Sequence, residues 1–163
     1  MKSIYKIFAI ITIVSAILLT YILYTNKQFK NNDLPIQTLT KLKQKEYHLR
    51  KLIIQKYNMK VNIPVIISDK LQNRLYGLAA FNDGDIKIIL NKNMFQESED
   101  YMIDYVLPHE YAHAVMFLLN DFTNENSGHS KRWQNICLNL EGKKCDRFVK
   151  HKDIVMGKLD FIY

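Results

Sequence analysis

The hydrophobic pattern divides the chain into an apolar N-terminal run and a longer stretch of mixed periodicities. Ile7 to Tyr24 is eighteen residues without a charge, with Lys2 and Lys6 before it and Lys27 and Lys30 after it. As a helix this run is about 27 Å long, near the thickness of a bilayer's hydrocarbon core. Tyr21 and Tyr24 stand where interfacial aromatics are expected, and the flanking lysines can snorkel to the headgroups. A signal peptide cleaved near Val14-Ser15-Ala16 would leave Ile17 to Tyr24 as an apolar stub, and a core helix would need a polar face that the run lacks. The pattern therefore predicts a single N-terminal transmembrane signal-anchor over residues 1–25, a linker over 26–35 and one domain over 36–163.

Within that domain, Leu39, Leu42, Leu49, Leu52, Ile53 and Tyr57 recur at helical spacing, so Ile36 to Tyr57 reads as an amphipathic helix. Asp33 is placed to cap it, with Pro35 in its first turn, and His48 falls among its surface residues. Pro64 to Ser68, Leu75 to Phe81 and Ile86 to Leu90 read as strands, the last two joined by the turn Asn82-Asp83-Gly84-Asp85. Gly77 inside the second strand marks a bulge or a close backbone approach. An acidic stretch, Glu97 to Asp104, suits the start of a helix that continues to about Leu119, with a kink or restart at Pro108. After the polar loop Asn120 to Gly128, Ser130 to Leu140 forms a final helix with Trp133, Ile136, Cys137 and Leu140 on one face. The tail from Glu141 is basic and reads as solvated. The predicted fold is α+β: a small antiparallel three-stranded meander packed with three main helices, preceded by the transmembrane helix.

Composition adds bounds. With 163 residues, 48% apolar and 24% charged, the chain has the make-up of one globular domain that needs no disulfide scaffold. The net charge of +7 falls to +5 over residues 26–163. That balance favours anionic partners without choosing among lipid, acidic polypeptide and nucleic acid.

The chemistry gathers in His109-Glu110-Tyr111-Ala112-His113, inside the apolar run Tyr105 to Leu119. Residues four apart share a helix face, so both histidines can offer a ring nitrogen to one metal ion, while Glu110 lies about 100° round the helix, free to act as a base. A catalytic zinc usually takes three protein ligands and keeps one position open. Asp121, Glu125, His129 and His151 are the downstream candidates for the third. His129 is favoured, because it follows Gly128 and immediately precedes the last helix, which anchors its backbone while its ring turns back; His151 in the tail is the weaker choice.

Leu107-Pro108-His109-Glu110-Tyr111-Ala112-His113, followed by Gly128-His129-Ser130-Lys131-Arg132-Trp133, resembles the SprT-like zinc metalloproteases, relatives of Spartan. Ile88-Ile89-Leu90-Asn91 is similar to the family's strand ending in Leu-Asn, and Gly77 to a glycine in the strand before it. The resemblance covers roughly residues 36–150. It implies a zincin-like minimal metalloprotease in which His109, His113 and His129 ligate Zn2+, Glu110 is the catalytic base and Trp133 packs near the site. Many family members add a C-terminal zinc ribbon with paired cysteines; here only Cys145 follows the domain, so no ribbon is expected.

The resulting expectation is a membrane-anchored zinc metallopeptidase acting on protein or peptide substrates. Tyr101, Tyr105 and Tyr111 are the candidates for stabilising the oxyanion. The alternatives are a non-catalytic zinc-stabilised interaction domain, with His151 or Cys145 as a fourth ligand, and a DNA-associated protease, which no basic-aromatic platform supports. A short basic N-terminus ahead of a single span places the domain outside the cytoplasm, where Cys137 and Cys145 could pair.

Overall fold

The computed structural model describes residues 2–72, 74–121 and 128–146, and the chain divides into two compact units, Met1–Leu34 and Pro35–Tyr163. The first unit is one helix, α1 (Lys2–Asn31). Its segment Ile4–Asn31 is long and apolar enough to cross a membrane, with a mean hydropathy of 2.5 in its most apolar window and none of that window buried. Thr12, Thr20 and Thr25 turn their hydroxyls onto carbonyls three or four residues back, which satisfies them without water.

The second unit begins with α2 (Ile36–Tyr57), followed by strands β1 (Val65–Ser68), β2 (Gly77–Asn82) and β3 (Asp85–Asn91). Short helices α3 (Lys92–Glu97) and α4 (Glu99–Tyr101) lead through a π-helical segment, Met102–Val106, into α5 (Leu107–Leu118), and α6 (Lys131–Asn139) comes last. The architecture is α+β, with helices packed on a three-stranded sheet. Pro35 itself stands at the N-cap of α2 with no side-chain cap, so the expected cap from Asp33 is not used.

The sheet is mixed, which corrects the expected antiparallel meander. Its order is β1-β3-β2: β2 runs antiparallel to β3 with Leu78 opposite Ile89, whereas β1 runs parallel to β3 with Ile66 opposite the same Ile89. Only one tight turn was written in the sequence. Asp83 and Gly84 both have positive φ (49° and 93°), as a two-residue hairpin between twisted strands requires, and they fix β2 beside β3. The segment between β1 and β2 is longer, with Gln72 and Leu75 held by Asn91 at the end of β3, and β1 lies on the far side of β3. The central place goes to the strand with the most buried residues, Ile88 and Leu90 being fully enclosed.

Asn91, at the end of β3, is buried and fully used. Its Nδ2 donates to the carbonyls of Gln72 (3.1 Å) and Leu75 (2.7 Å), and its Oδ1 accepts from the N–H of Asn93 (3.1 Å), capping α3. One side chain thereby holds the segment entering β2 against the start of the next helix. Ser98 caps α4 in the same manner, accepting from Tyr101 N–H. The π segment explains how Pro108 is accommodated. In a regular α-helix its ring would press on the carbonyl four residues back; the widened turn, with Leu107 N–H bonded to Met102 O, relieves that contact just before α5.

The core joins Leu49 and Ile53 of α2, Ile88 and Leu90 of β3, Leu107, Tyr111 and Val115 of α5, and Trp133 of α6. Lysines from two elements converge on the π segment: Lys45 of α2 and Lys143 both bond Asp104, and they hold its carboxyl below the usual range against the opposing effect of burial. Of the tail expected to be solvated, residues 141–146 are described; Lys143 and Lys144 are exposed there, and the segment is tied to the domain at two points. Cys137 and Cys145 form a disulfide, Gly142 is buried against it, and Lys143 is tied to Asp104 at 2.9 Å.

Candidate metal centre

Three histidines meet on the exposed side of α5. His109 and His113, one turn apart, present their rings on one face, and His129 reaches them from just before α6. Gly128 (φ 71°) supplies the left-handed turn that brings His129 back, and Ser130 then caps α6 by accepting from Trp133 N–H. All three ligand atoms lie within 4.8 Å of one another. His129 Nε2 is 2.9 Å from His109 Nε2 and 3.3 Å from His113 Nε2.

The donor set fits a zinc ion. Four-coordinate zinc with nitrogens at 2.0–2.1 Å has tetrahedral edges of roughly 3.3 Å, which is the scale of this trio. Two of the rings, His109 and His113, are also held in the neutral, lone-pair-bearing form that a metal needs. Burial, with His113 and His129 adding to it, pulls His109 down to about 3, and burial with His129 pulls His113 down to about 4. Trp133, fully buried beneath the trio, touches every ring, with centroids 4.6 Å from His109, 5.0 Å from His113 and 4.4 Å from His129. It is a rigid apolar platform that fixes all three orientations.

Glu110 follows His109 but points towards the sheet. Its Oε2 accepts from the backbone N–H of Ala79 at 2.9 Å. The Asn91 N–H bonds Tyr76 O, so alternation along the antiparallel pair turns Leu78 and Ala80 towards β3 and leaves the backbone groups of Gly77, Ala79 and Phe81 on the open edge of β2. Glu110 sits on that edge. Gly77 is the close approach its position suggested: a Cβ there would lie 2.8 Å from Glu110 Cγ, 3.0 Å from Glu110 Oε1 and 3.0 Å from Val106 Cγ1. Burial pushes the Glu110 carboxyl up to about 7, opposed by the Ala79 hydrogen bond. A proton acceptor balanced near neutrality suits general acid–base work.

The remaining candidates separate. Asp121 is buried and paired with Arg132 of α6, away from the trio, so it serves the α5–α6 junction. Cys145 is committed to the disulfide, and His48 lies 2.8 Å from Glu141 on the surface. Glu125 and His151 lie outside the described residues. Among the described residues, then, the trio is the one cluster with metal-ligand geometry. The site opens into a cleft of about 650 Å³ lined by α5, the start of β2, Gly128 and the disulfide-tied segment. Tyr101 and Tyr105 line it; Tyr111 does not, being fully buried with its hydroxyl beside Arg50. Tyr76, Lys144 and Asp146, which sequence reasoning passed over, also line it. No spacing pattern marks these three, since loops outside the motif bring them in.

An α+β domain that sets two histidines of a helix, a third histidine from beyond it and an adjacent glutamate beside an open strand edge is a domain of the metalloprotease type. A family model described as the SprT-like family matches residues 36–151, and the chain belongs to that family, which is associated with zincin-like metallopeptidases. No curated protein and no solved structure matches the chain.

Proposed function

We propose that the protein is a membrane-anchored zinc peptidase, with His109, His113 and His129 as the metal ligands and Glu110 as the general base. The observation carrying this reading is the convergence of three imidazoles beside a buried carboxyl at the wall of an open cleft. A zinc ion held by the trio would supply Lewis acidity, acidifying water and polarising a peptide carbonyl. Glu110 takes the proton from the attacking water and delivers it to the departing amine. The open edge of β2 offers backbone groups of Gly77, Ala79 and Phe81 to an extended peptide, and to pair with Ala79 N–H the peptide displaces the Glu110 carboxylate from it. Cys145, one of the two candidates for a fourth ligand, is committed to the disulfide, which supports a catalytic rather than a purely structural metal.

The span over Ile4–Asn31 supports anchoring in a membrane. The domain is assigned to the extracytoplasmic side. The Cys137–Cys145 disulfide supports that side, since such bonds persist in oxidising compartments. Gly142 suits that bond: a Cβ there would lie 2.6 Å from Cys137 Sγ and 3.0 Å from Cys145 Sγ, so its missing side chain leaves room for the linked sulfurs.

The test is Glu110→Gln in the full chain, assayed on an unfolded protein substrate with zinc content measured in parallel. Retained zinc with loss of cleavage is the expected result; undiminished cleavage would overturn the assignment of the base.

A further inference from the structure

The cleft runs along two elements that lie side by side. Gly77 faces Val106 and Glu110, Ala79 N–H meets Glu110, and Phe81 rests against Phe117 at 5.7 Å between ring centroids. The start of β2 therefore matches the start of α5, and the metal trio lies between a tyrosine-rich end and the Phe117 end. At the first end Tyr101 stacks on Tyr105 (4.9 Å, 10°), and Tyr76 meets Tyr101 edge to face (5.8 Å, 67°). Tyr101 is buried as the base of this wall, while Tyr76 and Tyr105 are half-buried, and Leu75 and Val106 complete it.

The pocket is preformed. Tyr105 is held by its stacking on Tyr101 and by Lys143 Nζ, 5.4 Å from its ring centre, and Tyr76 follows directly from the segment that Asn91 latches. It is also close to the chemistry, because Tyr105 precedes His109 by about one helical turn, some 5–6 Å. That distance is under two residues of extended chain, at about 3.3 Å each. Aromatic surface left half-wet in a cleft gains by being covered, and aromatic partners add edge and face contacts. The wall itself presents phenol rings and aliphatic carbons, while the charged groups Arg74, Lys144 and Asp146 line the cleft around it and Lys143 backs Tyr105.

We propose that this end of the cleft, walled by Tyr76, Tyr101 and Tyr105, is a specificity pocket that receives a large apolar or aromatic side chain next to the bond being cut. This rests on the peptidase reading above, so the test separates the two. The zinc-loaded full chain carrying Glu110→Gln, in detergent, is titrated against labelled Gly/Ser peptides that differ only in one central residue, Phe or Ala. Fluorescence anisotropy is expected to give about tenfold tighter binding for Phe than for Ala. Adding Tyr105→Ala or Tyr76→Ala should reduce the Phe advantage to about threefold or less, and Tyr105→Phe should keep it. Equal binding of the Phe and Ala peptides, or a preference that survives both alanine variants, would overturn the pocket. Turnover of the Phe peptide by the unmutated chain tests the peptidase reading alone: binding preference without turnover keeps the pocket and sinks that reading, and turnover without preference does the reverse.

Discussion

Gly77 and Glu110 fit together only because Gly77 has no side chain: a Cβ on it would stand 2.8 Å from Glu110 Cγ. The strand edge thereby sets the position of the carboxylate proposed as the base. Replacing Gly77 with Ala must push Glu110, Val106 or β2 aside, at about 1–3 kcal/mol of stability. The main effect is expected on turnover, with kcat falling by about ten- to a hundredfold as the base is misplaced. Metal affinity should change little, because Gly77 touches Glu110 and Val106 and none of the three histidines is among the contacts its Cβ would make. Steady-state kinetics with a parallel metal titration checks this, and an unchanged kcat would contradict the positioning role.

Trp133 is the sole tryptophan of the chain and lies within 5.0 Å of all three histidine rings, centroid to centroid. Its fluorescence is therefore a direct report of metal occupancy. Titrating the metal-free protein with Co2+, a quencher that takes zinc's ligands, is expected to quench the emission with one-to-one stoichiometry. His129→Ala should weaken binding by at least tenfold while leaving the unquenched spectrum in place. Quenching of equal affinity in that variant would remove His129 from the ligand set.

Much of this centre could be read from the sequence because helical spacing is rigid. His109 and His113 had to share a face, and Gly128 before His129 with the cap at Ser130 made a return to that face plausible. The mixed sheet was not readable. Val65-Ile66-Ile67-Ser68 reads as a strand from its apolar run, but that run does not say which side of β3 the strand joins, and no two-residue hairpin turn decided it. Tyr76 and the disulfide-tied Lys144 and Asp146 were hidden for a related reason: they reach the cleft through Asn91's latch and a Cys–Cys link, which are long-range contacts without a local pattern.

The Glu110 carboxyl gives a pH dependence with a definite sign. Burial raises it from 4.5 to about 7 in the metal-free protein, so the folded state binds this proton more tightly than the unfolded chain does. The associated stability is fully present below pH 4.5 and is lost as pH rises through 7, a change of about 3 kcal/mol. Glu110→Gln removes the titration while its amide oxygen can still accept from Ala79 N–H. With chelator present, the variant is expected to melt above the unmutated protein at pH 8–9, the difference shrinking towards pH 5. A pH-independent difference in melting temperature would show that the carboxylate is not buried as described.

The Cys137–Cys145 link makes the last prediction, which concerns both stability and compartment. The two cysteines are 8 residues apart and enclose buried Gly142, and the segment they hold carries Lys144 and Asp146 to the cleft. Closing a loop of that length restricts the unfolded chain by about 2–3 kcal/mol in the chain-entropy account. Cys145→Ser, or reduction of the unmutated protein, is therefore expected to lower the melting temperature by several degrees and to raise KM more than it lowers kcat, since the histidines and Glu110 are untouched. In cells the same bond bears on the proposed extracytoplasmic placement of the domain. A C-terminal reporter active only after export should give signal, and alkylation of thiols in freshly lysed cells should leave both cysteines unmodified until reductant is added. Free thiols together with a cytoplasmic reporter signal would reverse the assigned orientation.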